Sequence, residues 1–381
     1  MSSQHISSPQ WLSKEWLSKV IWPKFKPWLH TAPLMVGIDI GSHEVKAILL
    51  SKNEDTYHIV RHAAIPLTKG TVVDREIKDL KTLVDALSLI KRALPKNIKF
   101  ASVAVSGSTV INKVIEMDAS LTEAEMEAQI ELEAESLIPY PLNEISIDFE
   151  LLDLEQIEDD NVEVLLSACR TDTIDSRVDA LDEINLEAKV VDIEGYALGR
   201  AYEFIQYQLP DEGQGKVTAM IDVGASMLTL AVVEDGETVF VRGQDTGGEA
   251  FTKAIMSQYN LTYDKAEKAK ILGELPLTYQ EDVLLPFQLQ LLQQIKHILQ
   301  LYYTVSERER IDYIVLCGGS ACIEGLVARI KTELNIETLI ADPFAGRLEA
   351  SSPIKKQLQS QEAKYMLAFG LALRSYGEWP I

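Results

Sequence analysis

At 381 residues, 46% of them hydrophobic, the chain can bury a large core and should form two domains or more. Its formal charge of −22, from 36 basic and 58 acidic side chains, sets the surface against phosphate backbones and argues against nonspecific nucleic-acid binding. No apolar run reaches the roughly 18–20 residues of a membrane span, and Cys169, Cys317 and Cys322 lack metal-ligand spacing and read as reduced core thiols of a cytoplasmic protein.

Residues 1–33 form an N-terminal extension. Its first ten residues are rich in Ser and Gln and read as disordered. Over 11–21, Leu12, Trp16, Leu17, Val20 and Ile21 share one side of a helix, opposite Lys14, Glu15, Ser18 and Lys19, and Pro23 ends it. Four of the five Trp fall within 11–28, where four Lys face a single Glu. Two readings stand side by side: an anchor at an anionic membrane surface or on a partner, and an ordinary terminal helix packed on its own domain.

The first domain is expected over 34–210. It opens with strand 36–40, a turn carrying Asp39, Gly41 and Ser42, and a second strand containing Lys46. Gly41 admits an anion close to the main chain, Ser42 and nearby N–H groups donate, and Lys46 adds a positive charge. Taken alone, this is equally a plain β-hairpin. A third strand at 57–60, an amphipathic helix over 77–94 and a buried strand over 100–107 follow.

Residues 118–190 break that rhythm. Thr122 followed by Glu125 is a capping-box pattern opening a helix that stops at Ile138-Pro139-Tyr140-Pro141-Leu142. Strands at 145–152 and 162–169 flank an acidic loop at 155–161, and a helix at 173–184 and strand at 188–193 close an inserted αββαβ subdomain. Glu194, where that last strand turns into a helix, can position a water or a hydrated metal; by itself it is a first-turn acid favoured by the helix dipole.

Beyond the linker at 211–215, the second domain (216–381) begins with Asp222, Gly224, Ala225 and Ser226 between two apolar strands. Gly247 and Gly248 open a helix with free N–H groups suited to phosphate. Glu267 and Lys270 share a face of the helix 263–272, placed to reach a ribose or simply to pair with each other. The apolar positions Leu291, Ile295, Ile298 and Tyr302 mark a long core helix, and strand 311–316 runs into Gly318, Gly319 and Ser320 and a helix over 326–334.

Asp222 follows Asp39 by 183 residues (222 − 39), about half the chain, in the same strand–Asp-x-Gly–strand setting. A duplication of that size predicts two like domains facing each other across a cleft, each offering one hairpin to a shared ligand.

Two Asp-x-Gly hairpins, an acidic strand–helix junction, a Glu-x-x-Lys helix and a late Gly-Gly-Ser turn, in that order, resemble the actin-like superfold: an α/β, ribonuclease H-like, duplicated two-domain fold with a central nucleotide cleft. The resemblance implies ATP and Mg²⁺ as cofactors, with Lys46 meeting the β-phosphate, Asp39 and Asp222 holding hydrated Mg²⁺, Glu194 orienting water, and Glu267 and Lys270 approaching the ribose. Ala225 stands where many relatives carry Gly, and Glu44 would repel a triphosphate unless turned away. Within the superfold, residues 131–142, Ile147-Asp148-Phe149, 247–252, 341–346 and 369–374 resemble the PilM family of type IV pilus assembly proteins, related to the division protein FtsA, over about 34–376.

That resemblance implies a cytoplasmic nucleotide-binding adaptor, peripheral at the inner face of the inner membrane, with slow or absent ATP hydrolysis. It would dock the N-terminus of a PilN-like inner-membrane protein in a groove between the first domain and an FtsA-type inserted subdomain. Contacts with assembly and retraction motor ATPases, and self-association, are further implied partners. The alternatives are a small-molecule kinase of the same superfold, for which no acceptor-site carboxylate stands out, and an FtsA-like filament protein tethered by a C-terminal amphipathic helix, which residues 371–381 do not provide.

Overall fold

Main-chain pairing among the described residues gives two large sheets, a three-stranded sheet and a two-stranded ribbon. The computed structural model describes residues 33–54, 56–106, 109–152, 161–306, 310–346 and 348–376. The Trp-rich stretch 11–28 and most of the acidic loop at 155–161 lie outside them.

β1 (Met35–Ile40), β2 (Glu44–Asn53) and β3 (Thr56–Pro66) form an antiparallel meander. β1 is buried over Met35–Asp39, the mark of a central strand covered on both faces. A two-strand ribbon, β4 (Val72–Val73) and β5 (Glu76–Ile77), precedes α1 (Leu80–Ala93). Asp79 caps that helix by accepting the Thr82 N–H at 3.0 Å, and Leu83, Ala86, Leu87 and Ile90 form its buried stripe. β6 (Phe100–Val105) then joins β1 in parallel.

β7 (Val110–Asp118), α2 (Glu123–Leu137), β8 (Ile145–Leu152) and β9 (Asn161–Arg170) make the inserted subdomain, an antiparallel sheet of order β7-β9-β8 packed on α2 around Met117, Ile130, Phe149 and Leu166. The capping box is present: Glu125 Oε2 accepts the Thr122 N–H at 2.9 Å and the Thr122 hydroxyl at 2.6 Å. The expected αββαβ unit over 118–190 is therefore divided. It gains β7, while α3 (Thr171–Asp182) and β10 (Glu187–Ile193) return to the first domain, where β10 pairs in parallel with β6. The hydrophobic pattern marks each element but not its sheet, because α3 buries Ala180 and Leu181 in the first domain's core.

α4 (Glu194–Ile205) leads to the second sheet. β11 (Val217–Val223), β12 (Leu228–Glu234) and β13 (Glu237–Gln244) repeat the meander, followed by α5 (Gly248–Tyr259), α6 (Tyr263–Leu272) and α7 (Leu285–Val305). β14 (Tyr313–Cys317), α8 (Leu326–Leu334) and β15 (Glu337–Ile340) complete it. The order β13-β12-β11-β14-β15 reproduces β3-β2-β1-β6-β10, with antiparallel and parallel pairs in the same places. The duplication read from two hairpins thus extends to whole domains.

The chain does not end in the second domain. β16 (Leu348–Glu349) pairs with β3 at the edge of the first sheet, and α9 (Ser352–Leu358) follows. α10 (Met366–Ala372), wholly buried, packs on β1, and Ser375 closes on Met35. The expected second domain of 216–381 is accordingly too long at its end. The result is five layers: α1 and α3, the first sheet, α4 and α10, the second sheet, then α5 and α7 with α8.

The middle layer leaves no room for side chains at its closest points. A Cβ on Gly37 would lie 2.2 Å from the Ala368 carbonyl oxygen, whereas one on Gly319 would meet nothing within 4 Å. Gly37→Ala should lower stability by about 1–3 kcal/mol or more through overpacking, and Gly319→Ala should stay within about 0.5 kcal/mol of the wild type. Urea unfolding of the two variants checks this.

Candidate functional site

The two hairpins meet across a cleft of about 710 Å³ between the domains. Their turns close alike: the Gly41 N–H donates to the Glu44 carbonyl at 3.2 Å, and the Gly224 N–H to the Met227 carbonyl at 2.9 Å. The Ser226 hydroxyl donates to Ser42 Oγ at 2.8 Å, joining one turn to the other.

Strand register sets the charges. Asp39 lies opposite Lys46, and Lys46 Nζ meets Asp39 Oδ2 at 2.6 Å in buried surroundings. The corresponding partner of Asp222 is Thr229, so the second hairpin has no cation of its own. The Thr229 hydroxyl instead donates to Glu194 Oε2 at 3.4 Å, bringing the strand–helix junction to the same point. Burial pushes the Asp222 carboxyl up to about 6; Lys46 works against the shift and Asp39 adds to it. Burial, then repulsion from Asp39 and Asp222, pushes Glu194 up to about 7 despite the nearby Arg177. On Lys46, burial acts to lower the pKa, but Asp39, Glu44 and Asp222 together hold it above the usual lysine range.

Asp39, Gly41, Ser42, Lys46, Glu194, Asp222, Gly224, Ala225, Ser226, Gly248, Glu267, Lys270, Gly319 and Ser320 all line this cleft; Gly247 and Gly318 do not. Those two support it from behind. A Cβ on Gly247 would lie 2.5 Å from the Gly224 and Ala225 carbonyl oxygens, while Gly318, at φ +89°, passes directly under Asp222. α5 begins against the second turn, with Gly248 N–H donating to Gly224 O at 3.0 Å and Glu249 N–H to Ala225 O at 2.8 Å, so these groups are taken up by the turn and are not the free phosphate donors expected of this helix start.

Glu267 and Lys270 pair at 2.7 Å, and Lys270 also donates to the Thr252 hydroxyl at 2.8 Å, so both are engaged within the wall they line. Glu44 is turned onto Lys364 at 3.3 Å, which answers its expected repulsion of an anion. Cys322 is exposed at the cleft, unlike buried Cys169 and Cys317, and departs from the expected core thiol.

Arg75, Ser106 and Arg177 also line the cleft. No local pattern singles them out, because Arg177 is placed by tertiary contacts: it donates to the Ala104, Thr173 and Arg75 carbonyls. Thr229 was recoverable by superposing the two hairpins on their Asp residues. Across the cleft mouth, Arg75 pairs with Asp245, and Lys69 lies 3.5 Å from Glu249 and 4.3 Å above the Tyr263 ring.

A second cavity, about 140 Å³, lies between β8 and β9 of the inserted subdomain and β10. Leu165, Ile174 and Tyr196 supply apolar lining, and Asp148 and Glu150 project from β8. Asp192 and Arg374 line it as well, and Arg200 and Arg374 donate to Asp192 Oδ2 at 2.8 and 2.9 Å. Burial alone would raise the Asp192 carboxyl, but the two guanidinium groups hold it well below the usual range.

Three elements serve both cavities. Val105 faces the groove and Ser106 the cleft; Ile174 and Arg177 divide likewise on α3; Ile193 lines the groove and Glu194 the cleft.

The folded protein holds the Glu194 proton to about pH 7, whereas an unfolded glutamate releases it near 4.5. Its burial therefore disfavours the fold increasingly as pH rises through that window. The stability gained by Glu194→Gln relative to wild type should grow from pH 4.5 to 7 and level off above. Urea unfolding across that range should show this growth; a constant difference would contradict the buried placement.

Comparison with known proteins bears on this architecture. The family described as type IV pilus assembly protein PilM matches residues 37–376. The chain is similar to the structure of a PilM–PilN type IV pilus biogenesis complex, with a TM-score of 0.78 and 23% identity, covering 90% of this chain and 98% of that one. It is also similar to ethanolamine utilization protein EutJ from Carboxydothermus hydrogenoformans, with a TM-score of 0.53, 14% identity and coverage of 93% and 92%. Cell division protein FtsA of Bacillus subtilis (strain 168) is 22% identical over 259 residues, 62% of this chain, and the match spans only 57% of that relative's length. The fold is actin-like, as the two hairpins imply. With the match running from the first sheet to the returning C-terminal helix, the chain belongs to the type IV pilus assembly protein PilM family.

Proposed function

We propose that this protein is a nucleotide-binding adaptor of the pilus assembly machine, holding ATP·Mg²⁺ in the interdomain cleft and docking the N-terminal segment of a PilN-like inner-membrane protein in the groove beside the inserted subdomain. The observation that carries the first half is the meeting of two Asp-x-Gly turns around Lys46, Asp222 and Glu194.

The donor set suits a cation bridged to phosphate. Asp222 is half-buried, and desolvation with repulsion from Asp39 pushes it up to about 6, the condition of a carboxylate short of positive charge. Among the described residues no three His, Cys, Asp or Glu side chains could hold a metal by themselves. Asp39 and Asp222 would therefore hold Mg²⁺ through water and phosphate oxygens, which is how a small, strongly hydrated cation prefers to bind. The ion would neutralise phosphate charge. Lys46, steadied by Asp39, would donate to the β-phosphate, Ser42, Ala225 and Ser226 would present turn N–H and hydroxyl groups, and Gly41 and Gly224, whose own N–H groups close the turns, would let the phosphate approach the main chain. Glu194, which accepts from Thr229 at a helix start, would orient a water, and Glu267 and Lys270, paired in the cleft wall, would approach the ribose.

Support for the second half comes from the similarity to a PilM–PilN complex and from the groove's position on the inserted subdomain. Docking there would place the protein at the inner face of the inner membrane. No helix among the described residues is long and apolar enough to cross a membrane, so a partner or residues 11–28 would supply the attachment. Contacts with motor ATPases and with further copies would use other faces. Such an adaptor needs two states that differ in affinity rather than rapid turnover, so slow hydrolysis is compatible with it.

Lys46→Ala should weaken ATP·Mg²⁺ binding by about tenfold or more, the worth of one charge-assisted hydrogen bond, in calorimetry. Unchanged affinity with the fold intact would remove the cleft assignment.

A further inference from the structure

The groove beside the inserted subdomain mixes apolar and charged lining, and two of its carboxylates, Asp148 and Glu150, have no ion pair among the described residues, the lining Arg374 being drawn to Asp192. Asp148 and Glu150 are alternate residues of β8 and so project from the same face of the strand into the cavity. Asp148 accepts one hydrogen bond at 2.9 Å, from the N–H of its neighbour Phe149.

The nearby charges are committed elsewhere. On β10, Lys189 is paired with Glu187 and lies 4.9 Å above the Phe100 ring. Arg374, from the C-terminal return, donates to Asp192, which Arg200 also satisfies. On β9, burial pushes the Cys169 thiol up, and on α4 burial pushes Tyr196 up to about 12, so both stay neutral and add no positive charge. From the second sheet, Glu237 adds repulsion at Glu150. Burial accordingly pushes Asp148 up to about 6 and raises Glu150, with Arg374 only partly opposing the shift. Two desolvated carboxylates side by side are unfavourable until a cation joins them. The apolar lining from Leu165, Ile174 and Tyr196 selects hydrocarbon next to that cation.

We infer that the segment docked in this groove presents a Lys or Arg side chain to Asp148 and Glu150, with apolar residues on either side of it. This rests on the docking reading above and specifies the partner's chemistry. The acid pair selects and orients the segment, while the apolar walls supply non-specific burial. A guanidinium suits the pair best, since its planar fork can serve two carboxylates at once.

The test uses the full chain and the N-terminal peptide of the PilN-like protein from the same cell, with affinity measured by calorimetry. Asp148→Asn, which keeps shape and removes charge, should weaken binding about tenfold or more at pH 7.5, as loss of a half-buried ion pair does. Glu150→Gln should weaken it as well, a second variant in case one side chain is needed for folding. Replacing the peptide's basic residue by Gln should cost the wild type about tenfold but the doubly substituted protein less than about threefold, the signature of a direct pair. Wild-type affinity should fall as pH drops from 7.5 to 5.5 and Asp148 takes up its proton, while Asp148→Asn should show a flatter profile.

Tight binding by the wild type that ignores the substitutions, the peptide's charge and pH would overturn this inference and leave docking intact. No binding by the wild type would overturn both. Displacement of the partner peptide by a peptide of residues 11–28, which also combines Lys with apolar residues, would assign the groove to this chain's own segment instead and overturn the inference as stated.

Discussion

The middle layer, α4 and α10, is built on backbone approaching backbone. A Cβ on Gly37 would collide with the Ala368 carbonyl, and one on Gly370 would lie 1.9 Å from the Ala197 carbonyl, so β1, α10 and α4 stack with no side chain between them. That closeness lets a two-helix layer serve two sheets at once, burying Ile48 and Leu50 from one and Met220 and Val315 from the other in a single cluster. Because both central strands rest on this layer, the Asp-bearing ends of β1 and β11 open toward each other. The cleft is a consequence of the packing beneath it.

Charge in the cleft shows the opposite economy. Hydrophobic layers gain by exclusion of water, whereas three carboxylates, Asp39, Asp222 and Glu194, share one desolvated space with Lys46 as the central cation. Arg177 reaches the edge of this field but is held by three backbone carbonyls. Compare Asp192, more deeply buried, which has two guanidinium partners and stays ionised. The same side-chain type is a structural tie in one place and an unsatisfied acceptor of positive charge in the other, and the difference is the number of cations within reach.

This contrast marks what could be read from sequence. Turns with local chemistry were legible: the Asp-x-Gly hairpins, the Thr122–Glu125 capping box, and the helices 263–272 and 326–334, whose ends coincide with those observed. Non-local assignments were not. The helix at 171–182 and the strand at 187–193 follow the inserted strands without a break in pattern, and only pairing with β6 assigns β10 to the larger sheet. Likewise the return of 348–376 to the first domain depends on a two-residue bridge to β3 and on the fit at Gly37, neither of which leaves a periodic signal. Arg177 and Ser106 enter the site for the same reason: long-range packing places them.

That packing has a last consequence at the wall between cleft and groove. On β6, α3 and the β10–α4 junction, residues facing the two cavities are immediate neighbours or lie one helical turn apart. Ile193 and Glu194 share a peptide bond, so rotating one about the chain displaces the other. Tyr196, two residues into α4, faces the groove while the same helix start presents Glu194 to the cleft. Tight interiors transmit such shifts because they lack free volume to absorb them. Nor can α4 yield alone, since Ala197 is pressed on Gly370 and Asp192 is fixed by Arg200 and Arg374 from the elements on either side. The junction is thus pinned from both sides, by backbone packing at Gly370 and by the ion pairs at Asp192, where cleft and groove share one wall.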